Sequence, residues 1–85
     1  MNDIEQLKKK IIYRSKHRGI KEMDLLLSSF VKKYLNDLAT IELKQLDNLL
    51  SIDDDNLFKW YLERESKIKI PANRVSKLLK KFRIR

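Results

Sequence analysis

The chain has no cysteine, one glycine, one proline, one histidine and one tryptophan in 85 residues. The missing cysteine removes disulfides, thiolate nucleophiles and Cys-ligated zinc together, and fits a reducing compartment. A single histidine, His17, excludes metal sites built on several imidazoles. A single glycine excludes a glycine-rich phosphate loop. With one glycine and one proline there is little material for tight turns. No apolar run approaches the roughly 20 residues of a membrane span, so none is expected. The opening MNDIEQLKKK has two acids in its first five residues and no apolar core. It does not read as a signal peptide and is too acidic for a typical transit peptide. A soluble, cytoplasmic protein is the expectation.

Charge is present in quantity and is unevenly placed. The net charge is +8. Residues 1–21 carry seven Lys/Arg against two acids, residues 22–65 carry five against ten, and residues 66–85 carry eight and no acid. Such a basic terminus can meet nucleic acid, anionic lipid or an acidic protein face. The simpler reading is a solvated, solubilising tail.

Apolar residues recur at helical spacing throughout, which predicts an all-α fold. A first helix is expected over about Asp3–Arg18, with Ile4, Leu7 and Ile11 on one stripe, Ile12 beside it, and Gly19 ending it. A second runs from about Lys21 to Asn36, with Met23, Leu27, Phe30 and Tyr34 inward and Leu26 and Val31 flanking. A third begins near Thr40 as cap and carries Leu43, Leu46, Leu49 and Leu50. Asp53 or Asp54 can cap a fourth, which holds Leu57, Trp60, Tyr61 and Leu62. After a charged connector, Pro71 suits the first position of a last, basic helix with Val75, Leu78, Leu79 and Phe82. The expected architecture is a single domain, 1–85, folded as a compact bundle of about five short helices. A chain of this length buries only a little over ~60% of its unfolded surface, so a deep active-site cleft is not expected.

Catalytic groups are scarce. The serines have no base at local motif spacing. Asp53, Asp54 and Asp55 resemble half of a cation site, but a calcium loop's Gly and later Glu are missing, and helix capping explains them better. Trp60 and the tyrosines could stack bases, yet an aromatic helix face is better explained by core packing. The chain is therefore expected not to be an enzyme and to bind no metal.

The stretch YRSKHRGIKEMD, Tyr13 to Asp24, holds the only glycine among four Lys/Arg, the histidine and two acids. Structurally it is a joint. With Gly19 as cap, Glu22 falls at N3 and completes half of a capping box, and Arg18 can pair with Glu22 or Asp24 across the turn. Functionally it is a mixed-charge corner that displays Arg14, Arg18, Gly19, Lys21, Glu22 and Asp24. Arginine offers a planar fork to carboxylates and carbonyls, and the nearby acid favours an oriented protein partner over phosphate. On these residues alone the joint is the simpler reading.

The order of an aromatic residue, Arg-Ser, a basic run and Arg-Gly-x-x-Glu-x-Asp resembles the signature of the succinate dehydrogenase assembly factor family, the small flavinylation factors. Tyr13, Arg14, Ser15, Arg18, Gly19, Glu22 and Asp24 match it. LLSIDDDNLFKWYL resembles the family's second landmark, a Leu-Leu pair followed by an acidic cap and a Trp-bearing helix. The likeness covers about residues 11–62. His17 departs from it, standing where a basic Arg is usual, and so does Asp54, standing where a Pro is common, which should only soften the start of the fourth helix; residues 66–85 match nothing in it. The resemblance implies a five-helix protein with no catalysis of its own. Such a protein binds the flavoprotein subunit of succinate dehydrogenase, or of fumarate reductase, and promotes covalent attachment of FAD to a His of that subunit. The Arg18–Glu22 corner would be the partner-binding site. FAD would belong to the client and not be stably bound here, and the free protein would be a monomer that binds no membrane. The alternative reading is a small basic nucleic-acid-binding domain, supported by the charge of residues 66–85. An antitoxin-like regulator is a further alternative with no independent support in the residues.

Overall fold

The computed structural model describes residues 3–64 and 68–83. Among these are five α-helices, one 3-10 turn and no strand, so the expected all-α bundle is what forms. Helix α1 spans Asp3–Lys16, α2 Lys21–Tyr34, α3 Thr40–Leu50, α4 Asp54–Tyr61 and α5 Arg74–Lys81, with the 3-10 turn at Leu35–Asp37. None is long and apolar enough to cross a membrane.

Helix α1 has Asp3 and Glu5 in its first turn and Arg14 and Lys16 in its last, each matched to the helix dipole. It stops two residues short of the expected Arg18. Ile11 and Ser15 are buried one turn apart, and Leu7 packs against the core edge. Ile4 and Ile12, expected on the inner stripe, stay exposed. Helix α2 buries Met23, Leu26, Leu27, Phe30 and Val31. Leu43, Leu46, Leu49 and Leu50 of α3, with Leu57, Tyr61, Val75 and Leu79, join these in one core. Helix α1 lies against α2 and α3, and α3 against α5.

The caps differ from expectation in two places. Ala39, not Thr40, is the N-cap of α3. Alanine offers no side-chain acceptor. Instead Glu42 reaches back, and its Oε1 accepts from the Ala39 N–H at 2.9 Å. Pro71 does not open α5. Asn73 caps it, accepting from the Ser76 N–H at 2.9 Å, while Ser76 Oγ accepts from the Asn73 N–H at 3.0 Å. This reciprocal box fixes the start better than a rigid φ can. Pro71 lies just ahead, and its carbonyl accepts from Ser76 Oγ at 2.8 Å. Past α5, Phe82 sets its ring edge-on to Phe30, with centroids 5.5 Å apart. The Tyr61 hydroxyl donates to the Phe82 carbonyl. The basic C-terminal helix is thus part of the core on one face. Of the charged connector, residues 65–67 lie outside the described residues, as do residues 84–85 of the tail.

Leu46 is 0% exposed. Leu46→Ala should lower stability by about 2–5 kcal/mol in urea denaturation, and an unchanged midpoint would contradict its burial. Glu42 also accepts from Arg74 Nη1 at 2.7 Å, tying α3 to α5. The Arg74 hydrogen bond, then the Ala39 amide, hold its pKa below the ordinary carboxylate value. A depressed carboxylate stabilises the fold above its unfolded pKa, and that stabilisation is lost as pH falls through the folded pKa. Glu42→Gln should therefore destabilise at about pH 7 and nearly match the parent at about pH 3. An equal deficit at both would remove the ion pair from the account.

Candidate functional site

Residues 17–20 join α1 to α2, between buried Ile11 and Met23. The expected cause of this joint is Gly19 as helix end and cap, with a local capping box from Glu22. Neither is present. No glycine has positive φ. The N-cap of α2 is Ile20, in extended conformation and without a side-chain cap, which puts Glu22 at the second helical position and not the third.

The corner is held by a residue far away in sequence. One carboxylate oxygen of Asp54, at the start of α4, accepts from the backbone N–H of both Gly19 and Ile20, the latter at 3.1 Å. The other accepts from Arg18 Nε at 2.6 Å. Arg18 then donates from Nη1 to the Leu50 carbonyl at 2.6 Å and from Nη2 to the Ile52 carbonyl at 2.8 Å. Leu50 ends α3, where carbonyls lack intrahelical partners, so the guanidinium caps that helix. Arg18 and Asp54 together lock the end of α3, the start of α4 and the start of α2. The carboxylate also lies near the positive ends of α2 and α4.

This geometry explains Gly19. A Cβ there would stand 3.3 Å from Asp54 Oδ2. Glycine is favoured because a carboxylate approaches its backbone closely, not because of its own φ. It also corrects the role expected for Arg18. Its side chain is 8% exposed, and its donors are used within the chain, on Asp54 and α3 and not on Glu22 or Asp24. Among the described residues no buried side-chain polar atom lacks a partner, so the buried pair is fully hydrogen-bonded.

The other expected site residues fall into two groups. Arg14 pairs with Asp47 of α3 at 3.2 Å, beside Lys10 on the second carboxylate oxygen. Lys21 and Glu22 are exposed, Asp24 is half-buried, and none of the three side chains has a hydrogen bond or ion pair within the described residues. Beside them are residues outside the expected partner-binding set. His17 stacks on Tyr13 with centroids 4.0 Å apart, and Tyr13 is 63% exposed. Leu25, one turn beyond Lys21, is 52% exposed. The outer face of the corner therefore offers two stacked rings, a cation, a carboxylate and an apolar side chain. The acidic triplet is also accounted for. Asp53 caps α4 by accepting from the Asn56 N–H at 3.1 Å, Asp54 holds the corner, and Asp55 pairs with Lys59 at 3.0 Å. Among the described residues no group of three or more acids and histidines is placed to hold a metal ion.

These features define a small helical protein whose most firmly braced backbone lies under an exposed, mixed-charge corner. The chain belongs to the succinate dehydrogenase assembly factor family. The family model described as flavinator of succinate dehydrogenase matches residues 9–83. The match runs through α5, further than the likeness of residues 11–62. The chain is similar to proteins named succinate dehydrogenase assembly factor 2, mitochondrial. It is 42% identical to that of Scheffersomyces stipitis over 72 residues, 84% of this chain and 48% of the relative. It is 36% identical to that of Dictyostelium discoideum over 80 residues, 94% of this chain and 55% of the relative. For Komagataella phaffii the identity is 35% over 83 residues, 95% of this chain and 44% of the relative. The chain spans about half the length of these curated relatives. No solved structure matches it. The expected cytoplasmic location is overturned by these names, which specify mitochondria. An acidic opening stretch argues only against a leader within those few residues, and a bundle core carries no address.

Two substitutions test the brace. Arg18→Ala leaves a carboxylate that is 11% exposed without its cation, and should cost about 3–5 kcal/mol. That is a large part of the stability of a domain this small. Asp54→Asn keeps the size but loses the charge, and should cost about 1–3 kcal/mol. Denaturant midpoints equal to the parent for both would place the pair in solvent.

Proposed function

We propose that this chain acts in succinate dehydrogenase assembly by docking on the flavoprotein subunit and promoting covalent attachment of FAD to it, without catalysing a reaction itself. The observation that carries the reading is the corner, a stiff turn with unpaired Lys21 and Glu22 outward, in a member of the flavinator family. Fumarate reductase, which has a comparable flavoprotein subunit, is a second client of the same kind. FAD belongs to the client, and the free chain works as a monomer away from the membrane.

The roles divide by exposure. Glu22 is the contact residue. Its carboxylate accepts from a cation or amide of the client, and Lys21 supplies a donor beside it. Opposite charges so close fix orientation as well as attraction. Tyr13, His17 and Leu25 add apolar area around them. Arg18, Gly19 and Asp54 are positioning residues that hold this face in one shape before binding, which lowers the ordering cost of association. The chain then acts on the client's conformational equilibrium. Binding one arrangement better than the others raises its population. If that arrangement holds flavin and nucleophile in near-attack geometry, the bond forms without a further catalyst.

Glu22→Gln separates docking from folding. Glu22 is exposed and its side chain has no hydrogen bond or ion pair within the described residues, so melting and helical signal should stay at the parent's. Covalent flavin on the client, read as fluorescence after denaturing electrophoresis at limiting assembly factor, should fall severely. Full flavin attachment with the folded variant would remove Glu22 from the interface.

A further inference from the structure

The corner leaves one feature of the sequence unused, the positive charge of residues 66–85. The fold concentrates part of it in one place. A groove of ≈ 670 Å³ runs between the end of α4 and the outer face of α5, bordered by Trp60, Glu63, Lys77, Lys80, Lys81 and Arg83. Ile70 and Ala72 contribute apolar lining. Trp60 lies about 9 Å along the α4 axis from Asp54, so the groove is at the opposite end of that helix from the brace.

Three properties separate these cations from a merely solvated face. First, the remaining cations of the segment that the structure describes are not equivalent. Arg74 is neutralised by Glu42 at 2.7 Å. Lys77, Lys80 and Lys81 have no carboxylate partner among the described residues. Second, their spacing at i, i+3 and i+4 puts them on one helix face. Third, they border apolar surface. Lys80 Nζ lies 4.8 Å from the centroid of the Trp60 ring, and Trp60 is only half-buried. Arg83 is fixed at the rim by donating to the Tyr61 hydroxyl at 2.9 Å and the Lys80 carbonyl at 2.8 Å.

We propose that this α4–α5 groove is a second docking surface, distinct from the corner, that takes an acidic amphipathic segment of a protein partner. The charge selects the sign of the ligand. The chemistry of the lining selects the class. A nucleic-acid strand needs an open aromatic face for stacking and an unbroken line of cations for phosphates. Here the ring carries an ammonium over it, and Glu63 stands in the lining. A peptide can place its carboxylates on the lysines and an aliphatic side chain against Trp60, Ile70 and Ala72, avoiding Glu63.

Trp60 is the only tryptophan, so its fluorescence reports this groove alone. The probe is a twelve-residue peptide of Glu with Leu at every fourth position, titrated at about 0.1 M salt. It should saturate a change in Trp60 emission, and replacing its Leu by Ser should weaken binding. Lys77→Gln with Lys80→Gln should weaken it about tenfold. Lys32→Gln with Lys44→Gln removes the same charge elsewhere and should weaken it by much less. Equal losses from the two pairs would reduce the effect to net charge and overturn the proposal. So would an unresponsive Trp60. A twelve-nucleotide single strand that binds more tightly than the peptide and quenches Trp60 would overturn it in favour of nucleic acid.

Discussion

A single carboxylate organises this protein. Asp54 accepts from Arg18 and from two successive backbone amides, Gly19 and Ile20. Arg18 in turn closes the carbonyl end of α3. Three helix ends therefore meet at one ion pair. Elsewhere the domain is held by an ordinary apolar core, which resists separation of the helices but does not select the path of a four-residue linker. The pair selects that path. It also decides what the corner shows to solvent, because drawing Arg18 inward leaves Lys21, Glu22 and the Tyr13–His17 stack as the outward groups.

The cost of this arrangement is desolvation. Both charges are about nine-tenths removed from water, and a buried pair offsets that loss only when each donor and acceptor is used. Here the guanidinium donates to a carboxylate and to the carbonyls of Arg14, Leu50 and Ile52, and the carboxylate receives three N–H groups. Such a pair contributes less to net stability than to specificity of shape. The proposed docking role needs that specificity, since a preformed face loses less conformational freedom on binding.

Much of the fold could be read from the residues. The period of Met23, Leu27 and Phe30, and that of Leu43, Leu46 and Leu50, places α2 and α3 in the core because side-chain spacing and helix pitch are directly linked. Helix starts were less legible. Ala39 caps α3 only through Glu42, and Asn73 competes with Pro71 for the start of α5, so identical local rules allowed two answers. The corner was legible as a joint, but not how it is held. Nothing within residues 13–24 reveals that Arg18 turns inward, since apart from the Arg14 carbonyl its partners are at positions 50, 52 and 54. The one available sign was the run of three aspartates, which exceeds what capping a short helix requires. Asp53 does the capping, and the surplus at Asp54 is the brace. Location was not legible at all, because neither core nor corner depends on it.

The brace makes a direct claim about two amides. Gly19 is exposed and neither it nor Ile20 lies within a helix, so without Asp54 both N–H groups would exchange with solvent nearly as fast as in an unstructured peptide. Native-state hydrogen exchange followed residue by residue by NMR measures this on the unmodified protein. The account predicts protection at Gly19 and Ile20 that approaches that of the core helices, reflecting opening of the braced corner and not local fraying. Exchange at both amides at the unstructured rate, with α2 still protected, would contradict it.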